Sequence, residues 1–591
     1  MPIIYWDTED NAPELAASGR SGFEKVVTQI AAKTDTGEEF YLKPKITRKR
    51  KSNASDINRF KCDVKPFELW LKSFGPQVTA YAHNPQYDLG NLWPDKLDGF
   101  NVTMVGNRLI SAVWENVRFL DSGNIWPMSL KKVGASVGLE KLEMDVNSAE
   151  YLWRDVDIVK KAMELADTLA ARYGVPDLPA TLGGLCVKVW QAMGGTNWHC
   201  SLPPARLAYY GGRVELFRPT AHGNIWYTDI NSLYPSVMLN EFPDADNLWF
   251  DMRSLSEAQA ALLNPRQKLF GVCDVTIEIP HWLFIAPLPV RREDDSIYYP
   301  VGTVSGWWTV AEIRRAIAKG CKLTSLRECY GSTTGQAYYS EFVQTFYKLR
   351  QHEQDEGKKL FYKLLMNNLY GQLGMSGEVT RSVKLQKYTQ TNVKGEKTLT
   401  REGTPYGTKL LTTIQMPLEK HVNWLHAAYV TSYGRLKLQE YLDAIPQHSL
   451  IYCDTDSVFF EHNGDKPPFS IGTELGQMKL EDRLTYCHCR GPKMYRIKDE
   501  KGKVKTKVKG IPARDTLPEQ FFDSGQAEFL QPWKLRESIG YFDDLEANEI
   551  VDKTRVLSVW HTVTKRILTG YDKKRLHGPR FYPIVHTSTA D

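Results

Sequence analysis

Two carboxylates stand one residue apart inside an otherwise apolar run, YCDTDSVFF, from Tyr452 to Phe460. The β-branched and aromatic residues on either side favour strands around a tight turn. On extended backbone, residues i and i+2 share a face, so Asp454 and Asp456 are expected side by side. Like charges that close repel, and one protonates unless a cation lies between them. Alone, such a turn reads equally as a solvated hairpin or a structural Ca²⁺ site. A distant partner shifts the balance: DINSLYPSVM sets Asp229 just ahead of a Leu-Tyr-Pro turn. Carboxylates from separate segments can hold two Mg²⁺ ions about 3.5–4 Å apart, which clamps the attacking and leaving oxygens of phosphoryl transfer.

The segment KKLFYKLLMNNLYGQLG (Lys358 to Gly374) adds a binding surface. Lys359, Lys363, Asn367 and Tyr370 recur at helical spacing and form one stripe. Leu360, Phe361, Leu364, Leu365 and Leu369 take the other faces, and Gly371 follows as a helix stop. A solvated face mixes both signs of charge, whereas this stripe carries only cations, an amide and a ring. Two ammonium groups can hold a triphosphate as point charges, while Asn and Tyr suit a base and a sugar. The stripe is built for a nucleotide.

A second set of acids lies in the first 180 or so residues. YWDTEDN puts Asp7 and Glu9 on one face of an early strand. AHNPQYDLGNL spaces Asn84 and Asp88 by four, and YLWRDVDIVKKAMELAD spaces Tyr151 and Asp155 likewise, so each pair is expected on one helical face. Taken singly, these are ordinary surface acids.

Order and separation change that reading. Residues 229–235, 363–371 and 452–457 resemble motifs A, B and C of family B DNA polymerases. The N-terminal D-x-E, N-x-x-x-D and Y-x-x-x-D resemble the three exonuclease motifs of proofreading polymerases. The resemblance covers nearly the whole chain and is weakest over 526–591. It implies an α/β multidomain protein: an RNase H-like exonuclease domain plus a right-hand polymerase with two terminal-protein-region insertions. The implied divisions are 1–178 exonuclease, 179–240 palm with motif A, 241–338 first insertion and 339–374 fingers. A β-hairpin second insertion follows at 375–415, then 416–525 palm with motif C, and 526–591 thumb.

The resemblance also implies roles. In the palm, Asp229 and Asp456 bridge two metal ions, with the Ile230 carbonyl as a further ligand and Asp454 in support. Tyr234 packs beneath the deoxyribose, Arg350, Lys359 and Lys363 meet the triphosphate, and Asn367 and Tyr370 line the nascent pair. In the exonuclease, Asp7, Glu9, Asp88 and Asp155 hold two ions, Tyr151 orients the attacking water, and Lys141 stands in the place of a supporting lysine. His83, Asn84, Tyr87 and the SLKKV segment, with Ser129 and Leu130, hold a single-stranded 3′ end. YYGGR, with Tyr209, Gly211 and Gly212, is similar to a motif that balances synthesis against editing. From its residues alone it is a turn whose paired glycines allow close backbone approach. KMY, with Lys493 and Tyr495, is similar to one that steadies the primer terminus. Mg²⁺ is the implied cofactor, two ions per site, with Mn²⁺ as a substitute.

Residues 241–338 and the hairpin signal from Thr380 to Thr412 fall where protein-primed polymerases of small phages carry their terminal-protein regions. The short stretch ahead of Asp7 suits that branch, since cellular replicative members usually carry a further domain there. The expected activity is DNA-directed DNA synthesis with 3′–5′ proofreading, protein-primed and strand-displacing, on a phage or mobile-element genome. Expected partners are primer-template DNA, single-stranded DNA, dNTPs and a terminal protein. The chain is expected to act as a monomer, away from membranes, in the host cytoplasm. Three other readings are weighed: a primer-independent relative that starts DNA de novo, a nuclease whose polymerase half is inert, and a non-catalytic DNA-binding scaffold with a decayed polymerase fold. Intact Asp229, Asp454, Asp456 and Lys363 argue against the inert polymerase half, and decay would strike some carboxylates in one of the two sites, where none is missing.

Composition decides less. A chain of 591 residues exceeds a single core and suggests about four domains. Net charge is only +5, so any nucleic-acid surface depends on local clusters. Candidates are KPKITRKRK (Lys43 to Lys51) and KGKVKTKVK (Lys501 to Lys509), the second alternating like a strand with one cationic face; either can equally be a solvated face. The nine scattered cysteines argue for a reducing compartment, and CHC (Cys487 to Cys489) lacks a second ligand pair for zinc. No signal peptide is expected, and no apolar run is long enough to cross a membrane.

Overall fold

A computed structural model describes residues 2–10, 26–48, 60–93, 96, 99–106, 108–145, 147–196, 199–250, 255–384, 389–391, 397–399, 404–406, 409–509, 511, 517–544, 549–566, 574–576 and 581–586. Its first unit is a mixed sheet built on β1 (Ile3–Asp10), β2 (Val27–Thr34), β3 (Glu39–Leu42) and β4 (Val78–Ala82). The chain then forms α1 (Pro85–Leu92), β5 (Asn101–Val105), β6 (Arg108–Trp114), β7 (Val117–Asp121) and the long helix α2 (Ala149–Arg172). Strand order is β5-β6-β7-β4-β1-β2-β3, with β1, β4 and β7 mutually parallel. Alternation along β1 sends Trp6 into an aromatic core, where its ring meets Phe67 and Phe119 at 6.0 and 5.7 Å. Tyr5, Asp7 and Glu9 take the other face, toward α2. A slip of one residue would bury the acids among the rings, so this core pins the register. Ser148 caps α2 by accepting from the Tyr151 amide, and Leu152, Val156, Val159 and Met163 form its buried face.

The second unit is a seven-stranded sheet. It begins with β8 (Val214–Leu216) and β9 (Thr220–Ile230). Before the chain returns to it, residues 241–338 form a separate sheet with its own core, from β10 (Phe270–Ile279), β11 (Val301–Thr309), α3 (Val310–Ala318) and β12 (Lys322–Ser332). Two helices follow, α4 (Ser340–His352) and α5 (Glu356–Leu373). Asp355 starts α5 by accepting from the Lys358 amide, and Phe361, Leu365, Met366, Leu369 and Leu373 bury one face. Gly371 does not end this helix; it runs on to Leu373, and Gly374 is the cap.

Strands β13 (Glu378–Lys384) and β14 (Lys409–Gln415) form the base of the hairpin insertion. They continue the N-terminal sheet past β5, with Thr380 opposite Met104 and Arg381 opposite Thr103. Gly395 and Arg401 lie outside the described residues, as do Lys49, Arg50 and Lys51 of the first basic cluster. Helix α6 (Trp424–Ala444) leads back to β15 (Leu450–Asp454), β16 (Ser457–Glu461), β17 (Met478–Gly491), β18 (Met494–Asp499) and β19 (Val504–Val508). The sheet order is β8-β15-β16-β9-β17-β18-β19.

After α7 (Leu517–Ser524), β20 (Gln526–Asp544) and β21 (Glu549–Arg566) pair as a long hairpin. The segment read as thumb then divides. Phe581 enters the core of the seven-stranded sheet beside Tyr452 and Phe459, and Val585–His586 adds a strand parallel to β11. No helix among the described residues is long and apolar enough to cross a membrane.

Candidate active sites

The first centre lies between β1 and α2. Ligand atoms of Asp7, Glu9 and Asp155 all fall within 4.8 Å of one another. Burial, reinforced by Asp88, Asp155 and Glu9, raises the Asp7 carboxyl well above its ordinary value. Burial and Asp155 push Glu9 up to about 8. Burial also raises Asp155 although Lys141 bonds to it. Asp155 Oδ1 is buried without a hydrogen-bond partner among the described residues. Three mutually repelling carboxylates with an orphaned oxygen are a donor set that fits a hard divalent cation.

Asp88 stands at the edge of this group and accepts a 2.5 Å hydrogen bond from the Thr8 hydroxyl. The Lys141 ammonium lies 4.5 Å from the Tyr151 ring centroid, so both residues border the acids. Asn84 departs from its expected place on a helical face. It precedes α1 with φ 64°, and its backbone N–H donates to Asp121 at 2.9 Å, leaving the side chain exposed. His83 shares hydrogen bonds with Ser122 and the Met128 carbonyl at 3.0 and 2.9 Å. Tyr87 donates to Asp10. Ser129 is exposed at the start of the short helix Leu130–Ser136, with Leu130 half-buried behind it.

The acids of this centre set a pH dependence. Unfolded, Glu9 releases its proton near its ordinary value of 4.5; folded, it holds the proton to about 8. The folded state therefore binds more protons across that window, and stability falls as pH rises through it. At pH 8 in chelator, Glu9→Gln is expected to raise the melting temperature by about 2 °C. Millimolar Mn²⁺ is expected to stabilise the wild type more than this variant. Scanning calorimetry with and without cation reads both effects, and equal cation shifts in the two proteins would remove the metal assignment.

The second centre lies on the seven-stranded sheet. Asp229 is near the end of β9 opposite Ser457, and the Ile230 amide donates to the Asp456 carbonyl at 2.7 Å. Asp454 and Asp456 do not share an extended strand. Thr455, with φ 61°, makes a tight turn between β15 and β16, and Asp454 pairs with Ser457 across it. Asp454 consequently accepts from the Tyr452 and Thr455 hydroxyls at 3.3 and 3.2 Å, and Lys493 stands 3.6 Å away. Burial, then Asp456 and Glu481, push Asp229 up to about 7, while Lys479 and Lys363 oppose the rise. Glu481 and Lys479, on β17, carry no motif in the sequence; their only signal is the alternation of MKLED. Ligand atoms of Asp229, Asp454 and Asp456 do not all fall within 4.8 Å of one another, unlike the first trio.

Helix α5 presents its stripe to this centre. Lys363 is exposed yet senses Asp229, and the Tyr370 and Tyr234 rings pack with centroids 4.3 Å apart and planes tilted by 36°. Asn367 is half-buried on the same face. Lys359 is held by Glu356 at 2.8 Å, and Arg350 lies near the end of α4. Tyr209 seats its ring against Gly374, where any Cβ would come within 2.8 Å of it. Gly212 is required for a similar reason, since a Cβ there would lie 2.7 Å from Thr455 Oγ1. Past the turn, Tyr495 is buried on β18, and Lys505 and Lys507 stand opposite Ile497 and Tyr495 on the edge strand β19.

Two carboxylate centres thus lie on separate sheets, one of them facing a cationic helix. The fold matches phi29 DNA polymerase bound to primer-template DNA with a TM-score of 0.64 over 95% of this chain and 100% of that one, at 15% identity. The same polymerase in its ternary complex with primer-template DNA and incoming nucleotide gives 0.64 at 14% identity. Residues 202–466 match the family model for DNA polymerase type B, organellar and viral. Among curated relatives, a probable DNA polymerase of Podospora anserina is 28% identical over 351 residues, 52% of this chain and 28% of the relative. The DNA polymerase of Kluyveromyces lactis is 23% identical over 415 residues, 63% of this chain and 40% of the relative. The chain thus spans well under half the length of these curated relatives.

Proposed function

We propose that this chain is a DNA-directed DNA polymerase with 3′–5′ exonuclease activity, protein-primed and strand-displacing, that replicates a phage or mobile-element genome. The observation that carries the reading is the cationic stripe of α5 set over Asp229 and Asp456, with a separate carboxylate trio on another sheet. Mg²⁺ or Mn²⁺ bound at each centre would supply charge neutralisation for in-line displacement at phosphorus. Asp229 and Asp456 would hold the ions in the palm, and Asp7, Glu9, Asp88 and Asp155 those in the exonuclease.

Lys359 and Lys363 hold the triphosphate, with Arg350 at the far end of the site. Tyr234 lies beneath the sugar, and Asn367 and Tyr370 line the base pair. The primer 3′-hydroxyl attacks the α-phosphorus and pyrophosphate leaves, while Lys493 and Tyr495 steady the primer strand. In the exonuclease, Tyr151 and Lys141 orient a water, and His83, Asn84, Tyr87, Ser129 and Leu130 hold the unpaired end. The chain works as a monomer with DNA, dNTPs and a terminal protein. An intracellular setting fits its nine free thiols.

The test is extension of a primed template with dNTPs and Mg²⁺, beside the same template without primer. Extension only with primer or an added priming protein supports the reading; product from the bare template would favour de novo initiation. In the same assay Tyr234→Val is expected to relax discrimination against ribonucleotides by roughly 10- to 100-fold, because the ring packed on Tyr370 leaves no space for a 2′-hydroxyl. Unchanged rATP-to-dATP selectivity would remove Tyr234 from the sugar site.

A further inference from the structure

Three carbonyls of the YYGGR loop, those of Tyr209, Tyr210 and Gly211, are claimed by arginines whose positions depend on the 241–338 segment. Arg291, on the short strand Val290–Arg291, donates to the Tyr209 carbonyl at 3.0 Å. Arg435, on α6, donates to the Tyr210 and Gly211 carbonyls at 2.7 and 2.9 Å. Its guanidinium is oriented by the buried carboxylate of Glu312, on α3, at 2.8 Å. Arg213 donates to the Ala286 carbonyl at 3.0 Å, and the Tyr210 ring belongs to the core of the same segment.

The loop in turn supports the catalytic turn. The Thr455 amide donates to the Arg213 carbonyl at 2.7 Å, and Gly212 is packed directly on the Thr455 side chain. Thr455 separates Asp454 from Asp456, so a shift of the loop moves both carboxylates. The exonuclease acids share no hydrogen bond with the loop among the described residues.

We infer that Arg291 is a positioning residue for nucleotidyl transfer, through which the 241–338 segment sets the geometry of the Asp454–Asp456 turn. This rests on the polymerase reading of that centre. Arg291 is 39% exposed, so replacing it leaves no cavity in a core. Its guanidinium also lies 5.4 Å from the Tyr210 ring centroid, and its contact with Asp295 at 3.6 Å is a surface ion pair of the kind that contributes little to stability.

The experiment compares wild type, Arg291→Met, Arg291→Lys and Asp295→Asn in steady-state primer extension, single-strand digestion and thermal unfolding. Losing the bond to Tyr209 is expected to lower kcat for extension roughly tenfold. KM for dNTP should stay within about twofold, because α5 keeps its own cap and buried face. Digestion of a single-stranded 3′ end and the melting temperature should not change. Arg291→Lys, which can still donate to a carbonyl, should recover most of the rate, and Asp295→Asn should match wild type. Wild-type kcat in Arg291→Met would overturn the proposal, as would a parallel loss of digestion and melting temperature. A wild-type protein that degrades DNA but never extends a primer would instead defeat the polymerase reading itself.

Discussion

Asp456→Ala is expected to reduce primer extension by about 10³-fold or more while digestion of a single-stranded 3′ end continues at the wild-type rate. The converse protein, Asp7→Ala with Glu9→Ala, should lose digestion to a similar extent and keep extension. The separation follows from where the acids sit. Asp7 and Glu9 are fixed on β1 by the aromatic core behind Trp6, whereas Asp456 belongs to a turn between β15 and β16 on another sheet. Neither substitution removes a buried apolar group, and each lessens mutual repulsion among carboxylates, so both proteins should fold. The measurement is a labelled primer-template run with and without dNTPs, beside a labelled single strand. Loss of both activities from either folded variant would falsify the two-centre assignment.

The second large effect concerns the hairpin insertion. Replacing 382–410 with a short Gly-Ser link should shorten the product made per binding event roughly tenfold or more, chiefly through faster dissociation. Synthesis through duplex should fall as well, while distributive extension on open template stays near normal. The link would join just after Arg381 and just before Leu411, so Thr380 and Arg381 keep their places against Met104 and Thr103 and the N-terminal sheet keeps its neighbour. Extension of a primed circle under a DNA trap, beside a gapped duplex, reads both quantities. Equal yields of long product from wild type and deletion on both substrates would show that the hairpin does not retain DNA.

Local chemistry is the legible part of this molecule. Asp7 and Glu9 follow from strand alternation, Tyr151 and Asp155 from a helix repeat, and the Lys359–Tyr370 stripe from a second one; each needs only a few residues of context. The Asp454–Asp456 geometry differs from the expected one because the hydrophobic pattern does not report a positive φ at Thr455, and Thr is a poor candidate for one. Gly371 looks like a helix end, yet buried Leu373 carries α5 past it, tertiary packing prevailing over propensity. Glu312, Arg435, Glu215 and Arg575 carry no signal. The pairs Glu312–Arg435 and Glu215–Arg575 join residues far apart in sequence, and buried ion pairs of that kind leave no period to read. The pairing of β13 with β5 is hidden for the same reason.

The return of the chain near residue 575 has a consequence for biosynthesis. Arg575 is fully buried and bonds Glu215 at 3.0 Å across 360 residues of sequence, and Phe581 completes the core around Leu216, Tyr452 and Phe459. At ordinary translation speeds of about 5–20 residues per second, β8 emerges roughly half a minute before its last partner exists. Glu215 has Arg213 beside it in the meantime, but the apolar surface that Phe581 will cover stays open. A nascent chain in this state has a sticky, unfinished seven-stranded sheet. Its yield in a cell should therefore depend on chaperones that shield the growing polypeptide until Arg575 and Phe581 have been made.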